Sequence, residues 1–168
     1  MNLKAILEAI TVNIATGLLV LIMAGGSPKL DKYASLMGID TKDEQFIKNW
    51  NDMSGATQVE NGNNGDEIVL YTASVLYNRM KSPKWNGNTI EEVILAKDGG
   101  HWQYAPVTRK NYKTVKVSKR VKYLCKFVMI FGSVVPPTVV YQGQKENGSG
   151  VYKSCPVKGQ KDEIFCYE

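Results

Sequence analysis

Glu60 is the residue whose setting most suggests chemistry. It is followed by Asn61-Gly62-Asn63-Asn64-Gly65 and then by a largely apolar run to Met80. Asn and Gly tolerate positive φ, so these five residues read as a tight corner. A carboxylate held at a bend beside a buried helix resists ionisation and can deliver a proton, the work of a general acid. A solvated loop glutamate would show the same spacing, so spacing alone leaves both readings open. Further on, His101-Trp102-Gln103-Tyr104 gathers three rings and an amide. Gln103 can donate and accept hydrogen bonds, which suits the acetamido groups and hydroxyls of amino sugars. Trp102 and Tyr104 offer flat faces for sugar rings. A loop whose aromatics plug the core would have the same composition. Trp85 likewise either packs on the domain or stacks on a sugar. Tyr141 and Gln142, in a β-prone run, are placed facing the same cleft.

Other chemistries find little support. His101 is the single histidine, which excludes sites built on two or three imidazoles. Cys125, Cys155 and Cys166 have no metal-ligand spacing, so no metal site and no cofactor is expected. Cys125 falls on an apolar helix face and reads as a small buried hydrophobe. Cys155 and Cys166 either pair across the last strands of an exported protein or stay free.

The elements that must position these residues follow from pattern. Thr41 to Glu44 resembles a capping box, and Phe46, Ile47, Trp50 and Met53 recur at helical spacing toward Glu60, with a break expected near Gly55. Asp66 and Glu67 suit the first turn of a central helix in which Ile68, Val69, Thr72, Ala73, Val75, Leu76 and Met80 cover more than one stripe. Pro83 ends it. Thr89 to Glu92 is a second capping box, opening a short helix that Gly99-Gly100 is expected to close. His101 to Arg109 reads as extended strand or loop. Ser118 caps another helix, with Val121, Leu124, Cys125, Val128 and Met129 inward and Gly132 after its end. Lys119, Arg120, Lys122 and Lys126 read as its solvated face. Three β-prone runs, at Val139, Gly150 and Ile164, predict a small antiparallel sheet.

The Glu60 stretch resembles the cell-wall hydrolase family typified by the spore-cortex-lytic enzyme SleB. That family has a catalytic glutamate ending one helix, a short loop, and a helix closing on a Leu-Asn-Arg-x-x-Ser-x motif. Here Glu60 and YNRMKSP (Tyr77 to Pro83) fall at the family's separation. TIEEVI (Thr89 to Ile94), WQYAPV (Trp102 to Val107), VVYQGQ, GSGVYK and the terminal FCY resemble its later elements in order, so the likeness covers roughly residues 43 to 168. One departure stands out. Where the family continues Glu-Ala-Arg-Gly-Glu, this chain reads Glu-Asn-Gly-Asn-Asn, so the second carboxylate is missing.

The resemblance implies a mainly α (α+β) fold, a lysozyme-like helical domain with a small C-terminal antiparallel β element. It implies a peptidoglycan-degrading enzyme that cleaves the MurNAc-GlcNAc bond. Glu60 would be the catalytic acid, with Gln103, Tyr104 and Tyr141 as substrate-binding residues and glycan strands of peptidoglycan as the partner. A retaining hydrolase needs a second carboxylate about 5–5.5 Å from the acid, whereas a lytic transglycosylase reuses one glutamate as acid and then base. The lone Glu60 favours the transglycosylase. A hydrolysing muramidase using Asp66, and a non-catalytic wall-binding or virion structural protein of the same fold, are the alternatives. A wall amidase or peptidase lacks both a zinc site and a Cys-His pair.

Length and composition frame this reading. With 168 residues and 43% hydrophobic, the chain suits one compact domain plus a short extension. The net charge of +5 suits an anionic polymer. No RNP, helix-turn-helix or zinc-finger pattern supports nucleic acid. Residues 1–26 read as a hydrophobic N-terminal segment, a signal peptide or signal-anchor with membrane contact through residues 5–25, at the short limit for a span. A helix docked on the domain or on a partner chain is the other reading. Residues 27–40 read as a linker and 41–168 as the catalytic domain. The expected setting is the bacterial cell wall, reached by export or carried by a bacteriophage.

Overall fold

The computed structural model describes residues 29–85, 87–98 and 100–168. The hydrophobic segment 1–26 lies outside the described residues. Contacts divide the chain into two units, residues 1–41 and 42–168. In the first, Leu30–Leu36 form helix α1, where a polar linker was expected. The Thr41 hydroxyl donates to Asp31 at 2.7 Å.

The second unit opens with α2, Glu44–Asn61. Its N-cap is Asp43, whose carboxylate accepts from the Phe46 amide at 2.8 Å, so the expected Thr41 capping box is not the one used. No break occurs at Gly55. A Cβ there would lie 1.8 Å from the carbonyl oxygen of Tyr112, so the glycine serves close packing and not helix interruption. Ile47 is exposed, and Asn49 is buried in its stead. The Asn49 carboxamide oxygen accepts from the Ile90 amide at 3.0 Å and ties α2 to the next short helix.

Helix α3 runs Asp66–Lys81 and is the central element. All seven of its expected apolar-face residues are buried. It contacts α2, α4, α6 and β3. Helix α4, Ile90–Ile94, carries the expected capping box between Thr89 and Glu92. It ends at Leu95, before the glycines expected to close it. Gly100 turns instead between β1, Lys97–Asp98, and β2, His101–Trp102, in a short antiparallel hairpin. The expected extended run stops there. Pro106–Asn111 form helix α5, with proline in the first turn, where its missing N–H is harmless. Helix α6, Lys119–Phe131, is capped by the Ser118 hydroxyl as expected.

Strands β3 (Val139–Gly143), β4 (Gly150–Cys155) and β5 (Glu163–Tyr167) form the antiparallel sheet in the order β3-β5-β4. The fold is thus mixed α+β. Ile68 and Val75 of α3 pack with Val139, Cys155 and Phe165 of the sheet. Tyr71 meets Phe165 edge to face at 5.3 Å. Cys155 and Cys166 are both buried and free, so they do not pair. Among the described residues no helix is long and apolar enough to cross a membrane.

Candidate active site

Glu60 lies in the last turn of α2 and is half-buried. The tight corner expected after it is present, with the Asn64 amide donating to the Asn61 carbonyl at 3.0 Å, but its glycines do not use left-handed backbone. Gly62 and Gly65 have φ of −63° and −62°, ordinary values for any residue. Gly62 is demanded by space instead, since a Cβ would sit 2.6 Å from the Gln58 carbonyl oxygen. Arg120 of α6 fixes this turn. Its guanidinium donates at 2.8 Å to the carbonyls of both Gly62 and Asn64, and pairs with Asp66. Arg120 is therefore no solvated-face residue. Asp66, the alternative second carboxylate, is engaged by it. Lys122 and Lys126 also do more than face water, lying over the Trp50 ring at 5.8 and 4.9 Å.

The Thr108 hydroxyl, from α5, donates to Oε1 of Glu60. Burial pushes the Glu60 carboxyl above its ordinary range, and the Thr108 bond and the Arg79 charge pull it back only in part. An elevated carboxyl is what proton donation near neutral pH needs.

Arg79 is the second centre. It is buried in α3, and its Nε donates to the Val140 carbonyl of β3 at 2.6 Å. Its neighbour Asn78 donates to the carbonyls of Pro136 at 2.8 Å and Val139 at 3.0 Å. The Asn-Arg pair thus staples the central helix to the sheet. A buried guanidinium demands partners. Aromatic faces supply them: Trp85 at 4.5 Å, Tyr104 at 5.3 Å and Tyr141 at 5.7 Å from Cζ. Trp85 and Tyr141 also meet edge to face at 5.6 Å.

Tyr104 is only 5% exposed, and its hydroxyl makes no hydrogen bond of regular geometry, with Arg79 as the polar group within reach. Burial pushes that hydroxyl up to about 12. Arg79 opposes the shift and the Glu60 charge adds to it. Leaving a buried hydroxyl without a well-formed hydrogen bond costs about 1–3 kcal/mol, so its retention here calls for an explanation. Trp102 is the ring that faces out, at 45% exposure, with Lys97 Nζ at 4.3 Å and Arg109 Cζ at 4.2 Å over it.

The structure therefore groups Glu60, Tyr104 and Tyr141 around Arg79. Gln103 is half-buried. Its main-chain amide donates to Ala96 at 3.1 Å, and no hydrogen bond among the described residues ties its side chain to Glu60. Thr108, Arg120 and Glu163 are additions that the sequence did not suggest. Thr108 and Arg120 sit in unremarkable basic segments. Glu163 stands a hundred residues downstream, on β5, yet is buried beside Asn61. Burial raises its carboxyl, Asn61 opposes this, and the Glu60 charge raises it further. No group of three or more metal-ligating side chains occurs among the described residues. No family model, curated protein or solved structure matches the chain.

Proposed function

We propose that this chain cleaves the glycan strands of bacterial peptidoglycan between N-acetylmuramic acid and N-acetylglucosamine, with Glu60 as general acid. The observation that carries the reading is Glu60 itself: a carboxyl raised by burial, oriented by Thr108, at the edge of an aromatic platform built on Arg79. The resemblance to the SleB-type cell-wall hydrolases supports it, and a lysozyme-like arrangement of the helices around Glu60 is part of the same proposal. The setting proposed is the bacterial wall, reached by export or carried by a bacteriophage, with residues 5–25 as the membrane contact.

The proposed step is lytic transglycosylation. Glu60 gives its proton to the glycosidic oxygen as the bond to the muramoyl C1 breaks. Positive charge develops at C1 and its ring oxygen. The Glu60 carboxylate then takes the proton of the same sugar's 6-hydroxyl, O6 bonds to C1, and the acid is restored. No water and no cofactor enter. Tyr104 and Tyr141 supply ring faces, and Gln103 an amide, for holding the sugar while this happens.

Hydrolysis is the second reading, and Glu163 is the observation that favours it, because it returns a second buried carboxyl to the neighbourhood of Glu60. Mass spectrometry of purified wall digested with the full chain decides. Anhydro-muramoyl ends support transglycosylation and reducing ends support hydrolysis. Freed peptides, or intact wall with a folded protein, would overturn the glycosidase reading in favour of an amidase or a non-catalytic wall-binding protein.

A further inference from the structure

We infer that Glu163 and Glu60 act as one carboxyl pair, joined through Asn61, in which Glu163 is the positioning residue that sets when Glu60 holds its proton. Its use in catalysis rests on the glycosidase reading; its existence does not.

The geometry is local and buried. Asn61 follows Glu60 at the end of α2. The Asn61 amide nitrogen donates to Glu163 Oε1 at 3.2 Å and to the Thr72 hydroxyl at 2.9 Å. Its carboxamide oxygen accepts from the Asn64 side chain at 2.7 Å, which fixes which end of the amide faces Glu163. Asn61, Thr72 and Glu163 are all buried, Glu163 at 9% exposure. A carboxyl so placed would not be kept in a core without a partner. Its hydrogen bond leads directly to the residue that follows the proposed acid.

The groups around the pair decide its charge. Glu60 meets the Thr108 hydroxyl from α5 and the Arg79 charge from α3. The Tyr104 hydroxyl lies within reach of both charges. Glu163 meets Asn61 and the Glu60 charge from α2. On the sheet it stands opposite the buried Cys155 thiol of β4, which also senses Lys153, Asp162 and Glu67. Arg79 is the cation beside Glu60 and Tyr104. Two neighbouring carboxyls in a low-dielectric site do not both ionise readily, so the pair retains one proton and one negative charge together. That state suits the chemistry. The shared proton is the one that Glu60 delivers to the leaving oxygen.

The test is a carbon-13 NMR titration of the side-chain carboxyls in the full chain, without substrate. In the wild type the pair is expected to titrate in two steps separated by about one pH unit or more. In Glu163→Gln the remaining Glu60 carboxyl, and in Glu60→Gln the remaining Glu163 carboxyl, should each titrate in a single step below the upper wild-type step. A Glu60 titration that is unchanged in Glu163→Gln, together with a Glu163 titration unchanged in Glu60→Gln, overturns the pair. If Glu163→Gln does not fold, the Glu60→Gln titration alone decides. Wall digestion on the same proteins separates the two proposals. Coupled carboxyls in a protein that releases no glycan fragments keep the pair and sink the glycosidase reading. Uncoupled carboxyls in a protein whose cleavage needs Glu60 do the reverse.

Discussion

Thr108 donates its hydroxyl to Oε1 of Glu60, joining α5 to the end of α2 across 48 positions of chain. The bond favours the ionised carboxylate, so it opposes the burial that raises Glu60. Thr108→Val keeps the shape and removes the donor. The Glu60 pKa should then rise further, and the alkaline limb of the pH–rate profile for glycan release should move to higher pH. Losing a buried hydrogen bond should also lower stability by about 1 kcal/mol. A limb that moves to lower pH would mean that Thr108 does not act on the proton donor.

Glu60→Gln separates activity from stability. The amide cannot deliver a proton, and losing a general acid typically lowers a rate by about 10²–10⁴-fold. Stability should move the other way. Because the folded-state pKa is raised, the folded protein holds this proton more tightly than the unfolded chain. Wild-type stability is therefore fullest below the ordinary carboxyl range and falls as pH rises through the raised value. The variant lacks that loss. Its Tm should equal or exceed the wild-type Tm near pH 7, with the gap closing toward about pH 4. Calorimetry across that range checks the sign.

The helices and strands were legible because their signals are local. The apolar stripes of the central helix, the Thr89 capping box, the Ser118 cap and the three terminal β runs all stand where pattern puts them. Local signals misled where a distant group decided the outcome. Gly55 reads as a helix breaker, but the Tyr112 carbonyl requires it inside an unbroken helix. Arg120 reads as a solvated cation, but the carbonyls it reaches lie 56 and 58 positions away. Glu163 shows nothing in sequence, because its partner Asn61 is 102 positions earlier. Of the candidate site, the carboxylate and its rings could be read directly. The groups that tune them could not, since each arrives on a different element.

Tyr104→Phe tests whether the buried hydroxyl serves a ligand. In the free protein that hydroxyl is buried without a hydrogen bond of regular geometry, so removing it should leave Tm unchanged or raise it slightly. The ring that covers Arg79 remains. If the hydroxyl meets the glycan, kcat/KM for wall fragments should still fall, by roughly 10-fold for a lost hydrogen bond of about 1.4 kcal/mol. Unchanged cleavage with a higher Tm would assign Tyr104 to the core alone.

Arg120→Lys tests whether the turn after Glu60 is held from outside. Arg120 reaches Asp66 and two main-chain carbonyls with one planar fork, and the carbonyl contacts run at 2.8 Å. A lysine keeps the charge but not the fork, so at least one carbonyl loses its donor. The group is only partly buried, so its ion pair with Asp66 contributes little by itself, and the geometry matters more than the charge. Stability should therefore fall modestly, by about 1 kcal/mol for the lost hydrogen bond. The effect on turnover should be larger than that loss implies, because the turn sets where the last residues of α2, Glu60 and Asn61, present their side chains. Displacements of about 1 Å at a reacting group can lower rates by about 10²-fold. Asp66→Asn leaves both carbonyl contacts in place, so it should retain most of the activity. If Arg120→Lys and Asp66→Asn lose activity equally, the ion pair and not the carbonyl bridge positions the turn.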